Sequence, residues 1–245
     1  MYILGVRIDT VDKPAALSKV ADFLASGQGN MVFTPNPEML VDAQKDSYFK
    51  EVLNAGDLNI CDGRGISLVA KEPVERIAGV DFMMDVCELA ARENKSVYLL
   101  GSGSDQVLKE CKNKLLQKFS TLKIVGMHPG IEIANDFTFD TEKNDAVVDD
   151  IILSAPDILF VAFGHKKQEK WIYGFLPELP SVRVAMGVGG SFDFISGKVK
   201  RAPQIVRCLG LEWLYRLIRE PKRIKRIFKA TIIFLYAHRK YSKTH

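Results

Sequence analysis

The chain has 245 residues, 47% hydrophobic and 26% charged, a globular composition with enough apolar material for one sizeable core. Its net charge of +4 is unevenly placed. Residues 197–245 carry 14 Lys and Arg against two acids (Glu212 and Glu220), for +12, while the rest carries 20 basic and 28 acidic residues, for −8. A basic segment on a mildly acidic body points to an anionic partner. The four cysteines, Cys61, Cys87, Cys111 and Cys208, have no C-x-x-C spacing and no His cluster beside them. That argues against zinc or a disulfide framework and for reduced thiols in a cytosolic protein. The N-terminus, MYILGVRIDT, lacks the pattern of a signal peptide. The apolar run Ile232 to Ala237 is far short of the ~20 residues that span a bilayer. The expectation is a protein that lies on a membrane without crossing it.

In chain order, Tyr2 to Ile8 reads as a strand and Pro14 to Ala25 as a helix with Leu17, Val20, Ala21 and Leu24 on one face. Asn30 to Thr34 is a strand, Tyr48 to Asn54 a short helix and Leu58 to Cys61 a strand. Val80 to Arg92 is helical, Ser96 to Leu100 a buried strand, and Asp105 to Phe119 a helix. Leu122 to Gly126, Ile158 to Ala162 and Val182 to Met186 complete the strands, with a helix over Asp145 to Leu153. This alternation predicts an α/β fold: a Rossmann-like, mostly parallel sheet with helices on both faces. The change of charge near Gly197 divides it into a catalytic body over 1–196 and a basic, amphipathic helical appendage over 197–245.

Ligands of such sheets sit at the carboxyl ends of the strands. After Thr34 comes Pro35-Asn36-Pro37-Glu38, stiffened by two prolines. Thr34 and Asn36 can serve a polar ligand there, or Asn36 can cap a turn. After Cys61 comes Asp62-Gly63-Arg64-Gly65. Asp62 can be a general base beside glycines that admit a ligand, or the N-cap of a following helix. Gly101-Ser102-Gly103-Ser104 opens a helix and can cradle an anion. It lacks the third glycine of a dinucleotide fingerprint, since Gln106 stands there, and the acid at the next strand end is also missing. That counts against a nicotinamide-dependent oxidoreductase. Gly164-His165-Lys166-Lys167-Gln168-Glu169 and Gly187-Val188-Gly189-Gly190-Ser191-Phe192-Asp193 are further polar strand-end loops. Of these, Gln168 offers an amide for sugar hydroxyls or a uracil edge.

Taken together, TPNPEM (34–39), CDGRGI (61–66), RIAGVD (76–81), GHKKQE (164–169), GVGGSFDFISGKVKRAP (187–203) and GLEWLYRLIREPKRIKR (210–226) resemble the WecG/TagA/CpsF glycosyltransferases. They run in family order over nearly the whole chain. The chain departs from the family at Lys166, where Pro is usual, and around His128-Pro129-Gly130, where an aromatic residue is expected.

The resemblance implies an inverting, metal-independent transfer of N-acetylmannosamine, or a related sugar, from a UDP-sugar to undecaprenyl-diphosphate-linked N-acetylglucosamine, in cell-surface polysaccharide synthesis of the teichoic-acid type. It implies Asp62 as base, with Thr34, Asn36, Arg76, Gln168 and Asp193 around the substrate. Arg216, Arg223 and Arg226 would fold over the site to meet the diphosphate. No cofactor and no metal are implied. A D-x-D motif is absent from the sequence, and arginine can bind the leaving diphosphate bidentately. A different donor, the uronic acid form of the sugar or a UDP-hexose, fits the same motifs.

In the appendage, Leu214, Leu217, Ile218, Pro221, Ile224 and Phe228 recur at helical spacing beside Arg216, Arg219, Arg223 and Arg226, with Pro221 expected to start a second short helix. Trp213, Tyr215, Phe234 and Tyr236 are placed as headgroup aromatics. With basic residues each adding ~1 kcal/mol near an anionic surface, this pattern predicts docking on a membrane, which the resemblance implies is the cytoplasmic face of a bacterial one. The same stripes suit a hairpin packed on the body or a homo-oligomer surface. They carry no nucleic-acid module.

Overall fold

Alternate residues along each strand enter two different cores, so the sheet is buried on both faces. Phe33, Tyr98, Leu100, Leu159, Val161 and Ala185 point to one face, and Val32, Val97, Leu99, Phe160, Val184 and Met186 to the other. That period of two makes each strand read as a continuous apolar run. The computed structural model describes residues 1–203, 206, 212–219, 221 and 224–241.

Two short strands, β1 (Tyr2–Ile3) and β2 (Val6–Arg7), form an antiparallel hairpin. The single strand expected over Tyr2 to Ile8 is therefore broken. Leu4 and Gly5 both take positive φ, 51° and 70°, which turns the chain back. The remaining strands are β3 (Asn30–Phe33), β4 (Leu58–Asn59), β5 (Ser96–Gly101), β6 (Lys123–His128), β7 (Ile158–Ala162) and β8 (Val184–Gly187). They form one parallel sheet in the order β4-β3-β8-β7-β5-β6.

Among the described residues, the sheet is covered by α1 (Lys13–Ala25), α2 (Pro37–Ala43), α3 (Ser47–Ala55), α4 (Arg64–Val69), α5 (Gly79–Arg92), α6 (Asp105–Lys118), α7 (Thr141–Ser154), α8 (Lys167–Phe175) and α9 (Ser191–Ser196). Side-chain caps start many of them, from Asp12, Asn36, Asp46, Ser104 and Asp140. Helices α2, α3, α7 and α8 share one core, and α1, α5, α6 and α9 the other. The chain thus leaves β8 toward one face, and leaves its neighbours β3 and β7 toward the opposite face. A crevice opens where chains diverge in this way. The Rossmann-like expectation is met, and it places the ligand region at the carboxyl end of β8.

Beyond Gly197, Arg201 makes a bidentate pair with Asp81 at 2.5 and 2.7 Å, and Ala202 is buried. Among the described residues that follow are the helices α10 (Glu212–Arg219), α11 (Ile224–Phe228) and α12 (Phe234–Tyr241), the last two joined by a π-helical turn over Lys229–Ile233. The π-helical turn packs on α2, and α12 packs on α2 and α4. Phe234, expected at a headgroup boundary, is instead fully buried. Tyr236, Ile218, Ile224, Phe228 and Ile232 are exposed. Among the described residues, no helix is long and apolar enough to cross a membrane.

Candidate active site

The loops after β3 and β4 are tied together before they present any side chain. Ile60 N–H donates to the Phe33 carbonyl at 3.0 Å, and Asp62 N–H to the Pro35 carbonyl at 3.0 Å. Asn36 caps α2 by accepting from Met39 N–H at 3.1 Å, with Pro37 at the first helical position. Its oxygen is therefore structural, while its NH₂ can still donate.

Asp62 is not the N-cap of α4. Gly63 holds that position, and no side chain caps the helix. Asp62 Oδ2 instead accepts the Gly79 N–H, in the first turn of α5, at 3.2 Å. The neighbouring glycines also have a packing role, although Gly63 lines the same cleft as Asp62. A Cβ on Gly63 would meet Pro37 Cδ at 2.6 Å, and one on Gly65 would meet Pro37 Cγ at 2.8 Å. They let α4 pack against the Pro37 ring. Cys61 is buried, and burial pushes its thiol up, which removes it as a nucleophile.

Asp62 opens into a cleft of about 700 Å³. Thr34, Asn36, Arg76 and Gln168, all expected around a substrate, line it. So do Glu38, Lys167, Gly189 and Gly190. Arg226 and Ala230 reach it from the C-terminal segment. Arg223 lies outside the described residues, and of Arg216 only its place in α10 is described.

Gln168 is buried and held at both ends. Its Oε1 accepts the Gly189 N–H at 2.9 Å, and its Nε2 donates to Glu169 Oε1 at 2.7 Å. It therefore fixes the glycine loop after β8. Glu169 is fully buried and also accepts the Lys166 N–H at 2.5 Å; burial pushes its carboxyl up.

Lys166 sits at φ 73°. Proline, locked near −65° and without an N–H, can neither adopt that conformation nor make the bond to Glu169. The loop is rigid by another route: Glu169 caps it from below, and Lys166 Nζ meets Asp46 at 2.8 Å.

A second cleft of about 850 Å³ adjoins the first across a shared wall that includes Phe163, Gly164, Lys167, Gly189 and Gly190. Asp193 lines this second cleft, not the one holding Asp62, and pairs with Lys198 at 3.2 Å. Ser102 and Gly103 line it too, but not as an anion cradle. Ser102 N–H is taken by the Ala162 carbonyl at 3.1 Å and Gly103 N–H by the Pro129 carbonyl at 2.9 Å. Lys167 is the basic side chain common to both clefts; its Nζ donates to the Ile133 carbonyl. The sequence pointed to Gln168 in this loop and held nothing to separate Lys167 from His165, Lys166 and Glu169 beside it.

Arg226 grips Glu38 with Nε at 3.1 and 3.0 Å from the two oxygens and Nη2 at 2.8 Å. Lys229 pairs with Asp42, which also meets His165 Nε2 at 3.0 Å. Burial pushes the Asp42 carboxyl up, but these two partners outweigh it and hold the carboxyl below its usual range. Glu38, Asp42 and His165 each bring one ligand atom within 4.8 Å of the others, a spacing that suits a cation. Arg226 and Lys229 already supply the countercharge.

A cleft at the carboxyl end of the sheet, lined by a carboxylate, two arginines and a lysine, suits a phosphorylated ligand, and the comparisons identify the class of protein. The family described as "Glycosyl transferase WecG/TagA/CpsF family" matches residues 1–245, and the chain belongs to that family of glycosyltransferases. It is 32% identical, over 96% of its length and 90% of the relative's, to the N-acetylglucosaminyldiphosphoundecaprenol N-acetyl-beta-D-mannosaminyltransferase of Staphylococcus aureus (strain MW2). It is 34% identical to the protein of the same name from Bacillus spizizenii (strain ATCC 23059 / NRRL B-14472 / W23), over 84% of its own length and 77% of the relative's. Family membership sets aside the oxidoreductase reading.

Proposed function

We propose that this enzyme transfers N-acetylmannosamine from a UDP-sugar to undecaprenyl-diphosphate-linked N-acetylglucosamine, a step of teichoic-acid-type polysaccharide synthesis at the cytoplasmic face of a bacterial membrane. One observation carries the reading. Thr34, Asp62, Arg76 and Gln168, spread over 135 positions, line a single cleft where the sheet places ligands. Family membership and the relatives' names supply the chemistry.

In this reading the nucleoside end of the donor occupies the second cleft, near Asp193. The diphosphate crosses the shared wall at Gly189 and Gly190, where missing side chains admit phosphate oxygens and Lys167 supplies positive charge. The sugar then faces Asp62. The acceptor hydroxyl oxygen attacks the anomeric carbon as its proton passes to an Asp62 carboxylate oxygen. The bond from that carbon to the diphosphate oxygen breaks, and UDP leaves with the electron pair. Arg76, Arg226 and Lys167 stabilise the charge gathering on the diphosphate. Thr34, beside Asp62, is placed to orient a hydroxyl. The body over 1–196 holds the base and the donor, and residues 197–245 complete the cleft and rest on the membrane. The exposed Ile218, Ile224, Phe228, Ile232 and Tyr236, with Lys225 and Arg239 nearby, support that surface.

The test is UDP release from a panel of UDP-sugars, including the uronic acid and hexose donors, with a lipid-diphosphate-N-acetylglucosamine acceptor. UDP-N-acetylmannosamine is expected to be turned over fastest, and only with acceptor present. Faster turnover of another donor would overturn the donor assignment, and no acceptor-dependent release from any donor would overturn the reaction.

A further inference from the structure

The cleft wall contains a carboxylate where an anionic donor is to bind, and its partner comes from the far end of the chain. Glu38 is only 8% exposed and sits in the first turn of α2. Arg226 meets it through the Nε edge and Nη2. One turn along α2, Asp42 meets Lys229, three residues beyond Arg226. The two pairs are successive rungs between α2 and the C-terminal segment. Asp42 also meets His165 of the loop before α8, so three parts of the chain join at one point.

We infer that Glu38 is a positioning residue: it holds Arg226 aimed into the cleft and, with Asp42, clamps the C-terminal segment over the bound donor. The inference rests on the reading of the cleft as the UDP-sugar site. Three physical points support it. A guanidinium has five N–H donors, and Glu38 uses only the Nε edge and part of Nη2. The remaining N–H groups are the ones a phosphate oxygen can accept from, so one arginine serves both anions. A bidentate carboxylate also fixes the plane of the guanidinium, which a lone flexible arginine lacks. Finally, swinging the segment away would break the Glu38–Arg226 and Asp42–Lys229 pairs together, which opposes opening. Phe234, buried against α4 close to Gly65, is the apolar anchor below the two rungs.

The experiment uses the full chain and two readouts: the rate at which proteinase K cuts the C-terminal segment, and UDP release in the presence of lipid-linked acceptor. Glu38→Gln keeps shape and removes charge. It is expected to speed cleavage at least threefold and slow UDP release at least tenfold, with the unfolding transition of the body unchanged. The exchanged pair, Glu38→Arg with Arg226→Glu, is expected to restore protection but not transfer, because the cation no longer points into the cleft. Wild-type cleavage and turnover in Glu38→Gln would overturn the inference. So would recovery of turnover in the exchanged pair, which would make Arg226 a tether alone. Asp62→Asn, run alongside, separates the two claims. Normal transfer by that variant would sink the base assignment and leave the clamp result standing.

Discussion

Asp62 Oδ2 accepts the Gly79 N–H at 3.2 Å, so the carboxylate is aimed by the first turn of α5, a helix 17 residues further along the chain. One oxygen is anchored and the carboxylate lines the open cleft, an arrangement suited to taking a proton from a fixed direction. Asn at position 62 can keep the bond from Gly79 through its own oxygen but has negligible basicity. Asp62→Asn is therefore expected to lower transfer by roughly 10²–10⁴-fold, the usual contribution of a general base, while UDP binds as before. Single-turnover rates with calorimetric UDP titration check this. A rate within threefold of wild type would remove Asp62 as the base.

Gly187 is where the sheet and Gln168 come closest. A Cβ there would lie 2.8 Å from Gln168 Nε2 and 3.2 Å from its Cγ. The amide has little room to yield, because Gly189 and Glu169 hold it at both ends. Gly187→Ala is expected to loosen the Gly189–Gly190 wall, cutting UDP affinity at least fivefold, with an overpacking cost of about 1–3 kcal/mol. Adding Gln168→Ala should recover stability and leave UDP binding weak. Full recovery of binding in the double variant would show that Gln168 does not organise that wall.

The strand-end residues were legible because a parallel sheet gathers its carboxyl ends at one edge, however far apart they lie in sequence. Thr34, Asp62 and Gln168 could be picked out from the strand positions, whereas Arg76, between α4 and α5, came only from the family resemblance. Helix α2 was not legible, because the two prolines of TPNP read as a stiff turn. In fact Asn36 caps and Pro37 opens a helix. The hairpin was hidden because Leu4 carries the positive φ, and leucine gives no turn signal. Glu38 was invisible as a site residue because its meaning lies in Arg226, 188 positions away. Asp193, expected beside Asp62, lines the neighbouring cleft, and the sequence held no sign of the wall between them.

The boundary at Gly197 marks a change of charge more than a change of packing. Arg201 is bonded to Asp81, and Phe234 is buried on the α2 and α4 side. Cutting the chain at Gly197 therefore removes Arg226 and also uncovers apolar surface, losing about 1.5–3 kcal/mol for Phe234 alone. The truncated body is expected to fold with a lower Tm, to bind a hydrophobic dye, and to transfer sugar at under 1% of the full-length rate. Cutting after Pro203 keeps the Asp81–Arg201 pair and should regain part of the stability with no gain in transfer. Full turnover by either truncation would show that the basic segment is not part of the site.

Acid should weaken the fold through Asp46. Burial pushes this carboxyl up, but Lys166, the Phe49 N–H and Lys170 outweigh it and hold it well below the usual range. Its folded pKa is thus lower than its unfolded value of about 4, so the native state binds fewer protons there. The stabilisation it gives is present above the unfolded pKa and is lost as pH falls through the carboxylate range. Glu169, raised by burial, has the opposite sign: its ionisation costs stability as pH rises through and above the same range. Asp46 also caps α3, and Asn is as good an N-cap as Asp. Asp46→Asn should therefore keep the helix and remove the acid sensitivity tied to Lys166 and Lys170. Unfolding scans from pH 7 to pH 3 are expected to show the variant less stable than wild type at pH 7 and the gap closing in acid. A gap that stays constant with pH would mean that the lysines around Asp46 do not stabilise its charge in the folded chain.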